Sequence, residues 1–253
     1  MEGYKMIVTE AQRQQFETEG YFVLEGVIPE EHLAVLREAS RKSINDINQQ
    51  MDAEGVTVMG LNRKDSRYFI GFAYRKYPEL RQFLFSDLMS EVCRATLGDT
   101  AYLFYEQYVI KAAEKGMKFS WHQDSGYVGY PHKPYLTCWC TLDAVTEANG
   151  TVYVLPYDRA GTRTMVPHVK DEETGDQVGY FGDDPGVPVI APAGSIAVFA
   201  STVFHRSGFN TTDAMRRIYL AQYSSEPLLS EDGATTKNAA EPFLKAGENV
   251  SSR

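Results

Sequence analysis

The hydrophobic pattern of the chain changes its period near residue 100, and this change constrains the fold more than any other feature. Before it, apolar residues recur at helical spacing; after it, they alternate with a period of two, as in β-strands. Turn signals such as Glu-Ala-Asn-Gly (147–150) and Ala-Pro-Ala-Gly (191–194) separate the alternating segments. Five strands are predicted, at Tyr102–Lys111, Leu136–Leu142, Thr151–Leu155, Ser195–Ala200 and Arg216–Ser224. Helices followed by many strands predict one β-sandwich or barrel supported by N-terminal helices.

The first hundred residues predict helices around one short strand. Thr9 and Gln12 form a capping box, in which each side chain bonds the backbone of the other residue at a helix start. Proline fits the first turn of a helix, and glycine commonly follows the last turn. The predicted elements are a helix from Thr9 that ends near Gly20, a strand Tyr21–Leu24, a helix from Pro29 whose apolar pattern fades near Met51, a loop at 53–66, and a helix from about Asp87 to Leu97 that Gly98 ends.

Two polar stretches of the C-terminal half show no regular period. Residues 157–187 are long and acidic, and they predict a loop of a length that is often functional or disordered. Residues 226–253 predict a polar, loosely ordered tail. The expected organisation is a single domain over residues 1–253, with a mainly helical part at 1–100, a β core at 101–225 and the tail at 226–253.

Composition narrows the partners and the compartment. The formal net charge of −9 argues against nucleic acid and anionic membrane surfaces, since both reward clustered Lys and Arg. No apolar run approaches the roughly twenty residues of a membrane span, and the start lacks the apolar segment of a secretory signal. Three cysteines cannot form a full disulfide framework, and Cys138 and Cys140 lie in an apolar run that indicates core packing. We expect a cytoplasmic protein; its oligomeric state stays open.

The segment Trp121-His122-Gln123-Asp124 carries a metal-ligand pattern. In an extended segment, residues two apart point the same way, so His122 and Asp124 can present an imidazole and a carboxylate to one ion. His205, just after a predicted strand, supplies a third ligand. Two histidines and one carboxylate on one face leave three coordination positions open, which is typical of non-haem iron(II) oxygenases.

A cation downstream of this pattern predicts a carboxylate clamp. Arg216 follows His205 by eleven residues, at the start of the last predicted strand. Its guanidinium can fork onto the distal carboxylate of 2-oxoglutarate, and Ser207 can donate a further hydrogen bond to the same group. Strand alternation puts the neighbouring Arg217 on the opposite face, where we expect it to be solvated.

Several segments in order resemble the phytanoyl-CoA dioxygenase family, and together they cover most of the chain. The opening helix and strand of that family are similar to Phe16–Pro29, and its later signatures are similar to the segments Gln107–Lys111, Trp121–Asp124, Trp139–Pro156, Gly194–Phe199 and His205–Arg216. Several ordered signatures at plausible separations are far more specific than any single one of them.

The resemblance implies a mainly β fold with flanking α-helices around a double-stranded β-helix, a jelly-roll core of the cupin-like kind. It also implies an enzyme that uses iron(II), 2-oxoglutarate and dioxygen, with His122, Asp124 and His205 as metal ligands. Arg216 and Ser207 take the position of the clamp. Gln107 falls on a strand position that contacts the co-substrate in relatives, and Trp139 on an aromatic that lines it.

The implied reaction is oxidation, most simply hydroxylation, of an unactivated C–H bond in a small organic or secondary-metabolite substrate, with release of succinate and carbon dioxide. The acidic chain shows no basic cluster for a coenzyme A phosphate, which favours a free small molecule over an acyl-CoA. Asp124 argues against a halogenase, in which a small residue replaces the carboxylate ligand.

One segment departs from the family pattern, and other roles stay open. Tyr157-Asp158-Arg159 stands where relatives often have Gly-Ser-His, at a point expected to border the active-site mouth. Lys111 has the same strand parity as Gln107, so it can face the site with it. Equally, it can be a solvated residue at the end of the strand. Aromatic side chains expected to line the pocket or pack the core are Tyr105, Tyr127 and Phe204, and the remaining histidines are His32, His132 and His168. The alternative functions are a non-catalytic ligand-binding jelly roll and a zinc hydrolase or isomerase.

Overall fold

The chain alternates helices and short strands up to residue 96 and consists mainly of strands and loops after it. The computed structural model describes residues 6–113, 118–172 and 174–251. The helices are α1 Glu10–Glu19, α2 Glu30–Glu54, α3 Ala73–Lys76, α4 Arg81–Leu84, α5 Asp87–Thr96 and α6 Tyr157–Ala160. The strands are β1 Tyr21–Leu24, β2 Val58–Met59, β3 Asn62–Arg63, β4 Arg67–Gly71, β5 Ala101–Lys111, β6 Phe119–His122, β7 Leu136–Thr141, β8 Val152–Leu155, β9 Val169–Lys170, β10 Gln177–Val178, β11 Val187–Pro188, β12 Ile196–Ala200, β13 Phe204–Ser207, β14 Arg216–Ser224, β15 Glu241–Lys245 and β16 Glu248–Asn249.

Two antiparallel sheets form the β core. The large sheet has the order β1-β12-β7-β14-β5-β4-β3-β2, and β15 joins it beside β5 with β16 as its partner. The small sheet has the order β11-β8-β13-β6, and β9 and β10 form a separate pair. Apolar side chains of both sheets pack together between them, among them Trp139 and Leu220 from the large sheet and Val152 and Val154 from the small one. The predicted mainly β fold with flanking helices and a jelly-roll core is confirmed.

Helices cover the outer face of the large sheet. Leu36 of α2 and Val92 of α5 are buried against Tyr108 and Tyr219, which project from neighbouring strands. All three cysteines are free and buried, and all belong to this core, so the packing role predicted for Cys138 and Cys140 is confirmed. Because side chains alternate along a strand, the residues between these core positions face the other sheet.

The N-terminal elements follow their local signals. Both hydrogen bonds of the capping box between Thr9 and Gln12 are present, and α1 ends at Gly20 with a left-handed φ of 86°. A Cβ at Gly20 would approach the side chains of Val203 and Tyr157 to within 2.6 Å, so both the backbone angle and the space require glycine. Pro29 precedes α2 as its N-cap rather than lying in its first turn.

The predicted loop at residues 53–66 is wrong in part. Helix α2 continues to Glu54, and the short strands β2 and β3 follow within the predicted loop. The next strand, β4, was not predicted either; the backbone N–H of Phe69 donates to the Asn62 side chain at 2.7 Å, and β4 pairs with β5. Strands of two residues are too short to show a period of their own, so only their pairing with neighbouring strands reveals them.

The prediction of a loosely ordered tail is also wrong over much of its length. Strand β15 pairs with β5, and Phe243 and Leu244 are buried in the outer core. The acidic stretch 157–187 includes α6, β9, β10 and the start of β11. Glu173 of that stretch and both ends of the expected domain, 1–5 and 252–253, lie outside the described residues.

Phe243→Ala tests whether the C-terminal strand belongs to the core. The Phe243 ring is fully buried against Phe85 and Tyr223, at centroid distances of 5.3 and 5.5 Å. Its removal leaves a cavity, so the free energy of unfolding should fall by about 3–5 kcal/mol in urea denaturation. Phe181 is 74% exposed, and Phe181→Ala should change the same quantity by less than about 0.5 kcal/mol. Equal effects of the two variants would contradict the packing of this strand.

Candidate metal and co-substrate site

Two neighbouring strands of the small sheet bring the predicted ligands together. His122 ends β6, and Asp124 begins the short 3-10 turn that follows it. His205 lies on β13, which pairs with β6 so that His205 is directly opposite His122. Antiparallel pairing thus places residues 83 positions apart in the sequence side by side, with imidazole ring centroids 4.1 Å apart.

The three side chains point donor atoms at one another. The ligand atoms of His122, Asp124 and His205 all lie within 4.8 Å of one another. Oδ1 of Asp124 is 3.9 Å from Nε2 of His122 and 3.5 Å from Nε2 of His205. Each histidine donates its Nδ1–H to a backbone carbonyl, that of Ser120 at 2.7 Å and that of Val203 at 3.1 Å. These bonds leave the lone pair of both Nε2 atoms free to coordinate a metal ion.

Burial and the neighbouring polar groups together keep His122 and Asp124 in the protonation states that metals require. Burial, together with the nearby His205, lowers the pKa of His122 to about 3. Burial alone would raise the pKa of Asp124, but His205, His122 and Thr137 outweigh it and lower that pKa to about 2. At neutral pH the site therefore offers a neutral imidazole at His122 and a carboxylate at Asp124, donors that suit a divalent transition metal.

Polar neighbours in the large sheet orient the carboxylate. Oδ2 of Asp124 accepts hydrogen bonds from Oγ1 of Thr137 at 2.5 Å and from Nε2 of Gln222 at 3.0 Å. Gln222 also donates to Thr137 at 3.0 Å. With Oδ2 so engaged, Oδ1 is the oxygen that faces the two histidines. The strand alternation carried a signal for both residues, since Gln222 lies on the same strand face as Arg216, and Thr137 on the same strand face as Trp139.

Gln123 ties the two ligand-bearing segments to the acidic stretch. Its side-chain amide is buried and donates to the Thr202 carbonyl at 2.6 Å and to the Thr164 carbonyl at 2.9 Å, while its oxygen accepts from the backbone of Val166 at 2.9 Å. Its backbone N–H donates to Nε2 of His168 at 2.9 Å. Residues 164–168 are thereby held against the segment between His122 and Asp124.

The three predicted ligands line a cavity of about 280 Å³. Arg216, Ser207, Gln107 and Trp139, the residues predicted to bind the co-substrate, all line it together with the three ligands. Tyr105 and Tyr127, which were expected either to line the pocket or to pack the core, line the cavity as well. Phe204 is not part of its wall and packs against Tyr180 and His168.

Arg216 is a buried cation whose charge the described chain leaves unpaired. It is 1% exposed, and its Nε and Nη1 atoms have no hydrogen-bond partner, while Nη2 donates to the Gly150 carbonyl at 3.2 Å. Its guanidinium lies 5.6 Å from the centre of the Trp139 ring. Burial lowers its pKa to about 9, which still leaves it charged at neutral pH. Unsatisfied donors of this kind fit the bidentate carboxylate of a keto acid.

Arg216 is one end of a row of three buried cations that cross adjacent strands. Lys111 of β5 pairs with Arg216 on one side and with Arg67 of β4 on the other. Lys111 donates to Oγ of Ser207 at 2.8 Å and to the Gly208 carbonyl, and burial holds its pKa well below the usual range. Nη1 of Arg67 has no partner in the described chain. Like charges directly opposite on a sheet repel, and the nearby buried carboxylate of Asp176 offsets only part of the charge of Arg67 and Lys111. The row therefore favours a further anion beside it.

Arg217 lies on the opposite face, as strand alternation predicts, but it is not merely solvated. It forms an ion pair with Asp143, with Nη2 2.7 Å from Oδ1 and Nε 3.0 Å from Oδ2. This pair lies outside the cavity wall. The two adjacent arginines thus differ in that only Arg217 has an acidic partner among the described residues.

Some residues that the sequence placed at the site lie elsewhere. Tyr157-Asp158-Arg159 do not line the cavity: Tyr157 bonds Thr202 at 2.8 Å, and Arg159 pairs with Asp184. His132 stacks beside Tyr135 and is not part of the cavity wall. His32, which was not predicted to lie at the site, contacts Phe83 outside the cavity. Arg67 and Lys237 line the cavity, but the sequence analysis did not predict them as site residues. Arg67 directly follows the predicted loop at 53–66, and Lys237 lies in the predicted tail at 226–253.

The buried donor set between the sheets of a jelly roll defines a class: non-haem iron dioxygenases that take a keto acid as co-substrate. Comparison with known proteins then defines the family. The model of the family described as phytanoyl-CoA dioxygenase matches residues 16–218, and the chain belongs to this family. It is a 2-oxoglutarate-dependent non-haem iron dioxygenase that uses iron(II), 2-oxoglutarate and dioxygen.

Individual relatives are distant in sequence and close in fold. Phytanoyl-CoA dioxygenase domain-containing protein 1 of Danio rerio is 23% identical, over 84% of this chain and 89% of its own. The structure of the alpha-ketoglutarate-dependent carbocyclase SnoK from nogalamycin biosynthesis is 17% identical, with a TM-score of 0.70 and 97% of each chain covered. EctD of Sphingopyxis alaskensis, solved with 2-oxoglutarate and 5-hydroxyectoine, is 21% identical, with a TM-score of 0.68 over 100% of this chain and 88% of that one.

None of the helices in the described residues has both the length and the apolar character needed to cross a membrane.

Gln222→Leu tests whether the large sheet orients the Asp124 carboxylate. Loss of a hydrogen bond behind a metal ligand typically weakens metal affinity about 10–100-fold. We expect a loss of that size for Mn(II), measured by anaerobic titration, with the fold retained. Gln82 is exposed and distant from the cavity, so Gln82→Leu is the control and should leave the affinity unchanged. Unaltered affinity in the Gln222 variant would mean that the Asp124 orientation does not depend on this bond.

Proposed function

We propose that the protein oxidises an unactivated C–H bond of a small organic substrate, most simply by hydroxylation, with His122, Asp124 and His205 as the iron ligands. The observation that carries the proposal is Arg216, a buried guanidinium with two unpartnered nitrogen atoms in the cavity that contains this ligand set. A fixed cation beside an open metal site fits a co-substrate that has a carboxylate at each end.

When bound, iron(II) with 2-oxoglutarate and dioxygen supplies an oxidant able to break such a C–H bond, while the keto acid is converted to succinate and carbon dioxide. Arg216 forks onto the carboxylate farthest from the metal, and Ser207 donates to the same group. Ser207 already accepts from Lys111 at 2.8 Å, so its own hydroxyl proton is free to point at the ligand. Lys111 and Arg67 extend the positive field for a dianionic co-substrate.

The polar groups around the ligands hold them in one orientation. The Nδ1–H bonds of the two histidines fix the tautomer with Nε2 free, and the bonds from Thr137 and Gln222 fix the rotation of the Asp124 carboxylate. Two imidazoles and one carboxylate leave positions for a bidentate keto acid and for dioxygen. Orientation of this kind is what the protein contributes to a reaction whose chemistry belongs to the cofactor.

The remaining cavity wall suits a small substrate. The volume of about 280 Å³ is shared with the co-substrate and lies at the small end for ligand pockets. Aromatic side chains such as Phe104, Tyr105, Tyr127 and Tyr135 supply much of the apolar surface of this wall. Relatives support a small molecule: ectoine dioxygenase of Sphingopyxis alaskensis is 24% identical over 81% of this chain and 72% of its own length, and SnoK belongs to nogalamycin biosynthesis.

Substitution of the ligands tests the metal assignment. His122→Ala, Asp124→Ala and His205→Ala should each abolish succinate formation and most iron binding, because each removes one of three protein ligands. Iron content after anaerobic loading and succinate release measure the two effects, and circular dichroism checks the fold. His32→Ala removes a histidine outside the cavity and should match the wild type. Near-normal succinate release by any ligand variant would remove that residue from the site.

Arg216 and Arg217 form a matched pair for testing the clamp. Loss of the buried charge partner should cost about 2–5 kcal/mol, so Arg216→Ala should raise the KM for 2-oxoglutarate roughly 30- to several thousand-fold and affect iron binding much less. Arg217→Ala breaks only the pair with Asp143 outside the cavity and should leave this KM nearly unchanged. Initial rates of succinate formation against 2-oxoglutarate concentration decide between them. A large effect in the Arg217 variant alone would overturn the assignment of Arg216 as the clamp. Absence of succinate release by the wild-type protein in a single turnover would instead favour a ligand-binding role without catalysis.

A further inference from the structure

The cavity has a second side, which the iron and the keto acid leave free under the proposed function. Phe104, Tyr105, Val128 and Tyr135 line this side, and they belong to a small apolar cluster that Leu228 and Tyr130 complete from behind the wall. The cation row of Arg67, Lys111 and Arg216 belongs to the other side, with the co-substrate clamp. A substrate must contact this second wall, because the ligand set and the clamp occupy the first.

A segment near the C-terminus, residues 228–239, closes this second side. Leu228 belongs to the apolar cluster, the Ala239 backbone N–H donates to the Phe104 carbonyl at 2.9 Å, and the Tyr130 hydroxyl donates to the Leu229 carbonyl at 2.7 Å. These contacts hold Lys237 and Asn238 at the cavity wall. The segment is therefore part of the pocket rather than a tail beyond it.

Lys237 brings a charge to this wall that the described chain does not neutralise. Its ammonium contacts the Val128 carbonyl oxygen at 3.5 Å and the Tyr130 ring at 5.2 Å, and neither group carries a full negative charge. A distance of 3.5 Å exceeds that of a normal N–H···O bond, and an ammonium has three donors to satisfy. Donors are thus available beside an apolar surface.

The charge of the whole cavity favours an anion at this position. Asp124 is the one carboxylate on the wall among the described residues, although the chain as a whole has a net charge of −9. Arg206 also lines the cavity, and its contacts, stacking on Tyr153 at 3.9 Å and a hydrogen bond to the Pro185 carbonyl, likewise leave its positive charge without an acidic partner among the described residues. A cavity with one acid and an excess of cations attracts negative ligands even in an acidic protein.

We propose that the prime substrate is a small organic carboxylate whose charged group binds Lys237 and whose apolar body lies along the wall of Phe104, Val128 and Tyr135. This proposal rests on the proposed function, because the end of the substrate that is oxidised must lie beside the metal while its carboxylate binds Lys237. A carboxylate is favoured over a phosphate because a single ammonium faces it and because the cavity is small.

Hexanoate and its neutral analogue hexanamide test the proposal without knowledge of the natural substrate. The protein is loaded with Mn(II) and saturating 2-oxoglutarate without oxygen, and proton relaxation of each probe is measured by NMR, since Mn(II) relaxes only protons held close to it. Hexanoate should bind at least about fivefold more tightly than hexanamide. Lys237→Met should remove this difference and Lys237→Arg should retain it, whereas Lys245→Met, which changes an exposed lysine outside the cavity, should have no effect.

The controls separate failure of this proposal from failure of the proposed function. Titrations of Mn(II) and 2-oxoglutarate come first; if neither binds at the site, the proposed function fails and this inference fails with it. If both bind but hexanoate and hexanamide do not differ, or Lys237→Met leaves the difference intact, the carboxylate site alone is overturned. Competition of hexanoate with 2-oxoglutarate would assign its binding to the clamp and overturn the proposal. Tighter binding of hexyl phosphate than of hexanoate would overturn the carboxylate assignment.

Discussion

Strand β14 is the constraint on which the rest of the site depends. It lies inside the large sheet, paired with β5 on one side and β7 on the other, so each side chain faces either the helix-covered core or the cavity. Tyr219 and Tyr223 face the core, whereas Arg216 and Gln222 face the cavity. One strand therefore carries both the predicted clamp and the side chain that orients Asp124. A shift of its register by one residue would exchange every one of these roles.

The buried cations of the cavity wall lower the stability of the folded protein unless an anion binds beside them. Arg67, Lys111 and Arg216 lie in register on adjacent strands, and burial lowers the pKa of each of them. Buried cations without acidic partners oppose folding, because they lose hydration and repel one another. An anionic ligand removes this conflict, and a ligand that binds only the folded state stabilises it. Strain of this kind is expected at a binding site rather than in a structural core.

The acidic stretch and the C-terminal segment give the core its two covers. Residues 164–168 are held through Gln123 and His168 against the metal side, and residues 228–239 are held through Tyr130 and Leu228 against the other side. Hydrogen bonds between a side chain and a backbone atom hold much of both covers to the core. Within one fold, the site and not the fold determines the function.

The sequence alone determined the fold class, the three candidate ligands and the candidate clamp. Alternation along Arg216–Ser224 distinguishes Arg216 from Arg217, and a spacing of two residues on an extended segment brings His122 and Asp124 together. These are local patterns with periods set by backbone geometry, so they can be read without knowledge of the partners.

Only the tertiary structure decided what lies opposite these residues. The pairing of β13 with β6 sets His205 against His122, and the pairing of β4 with β5 brings Arg67 beside Lys111. Lys237 lies at the cavity because residues 228–239 lead directly into β15, and β15 pairs with the N-terminal end of β5. Short polar segments have no period that reveals their neighbours, and their positions follow from hydrogen bonds and burial against residues more than forty, and often more than a hundred, positions away.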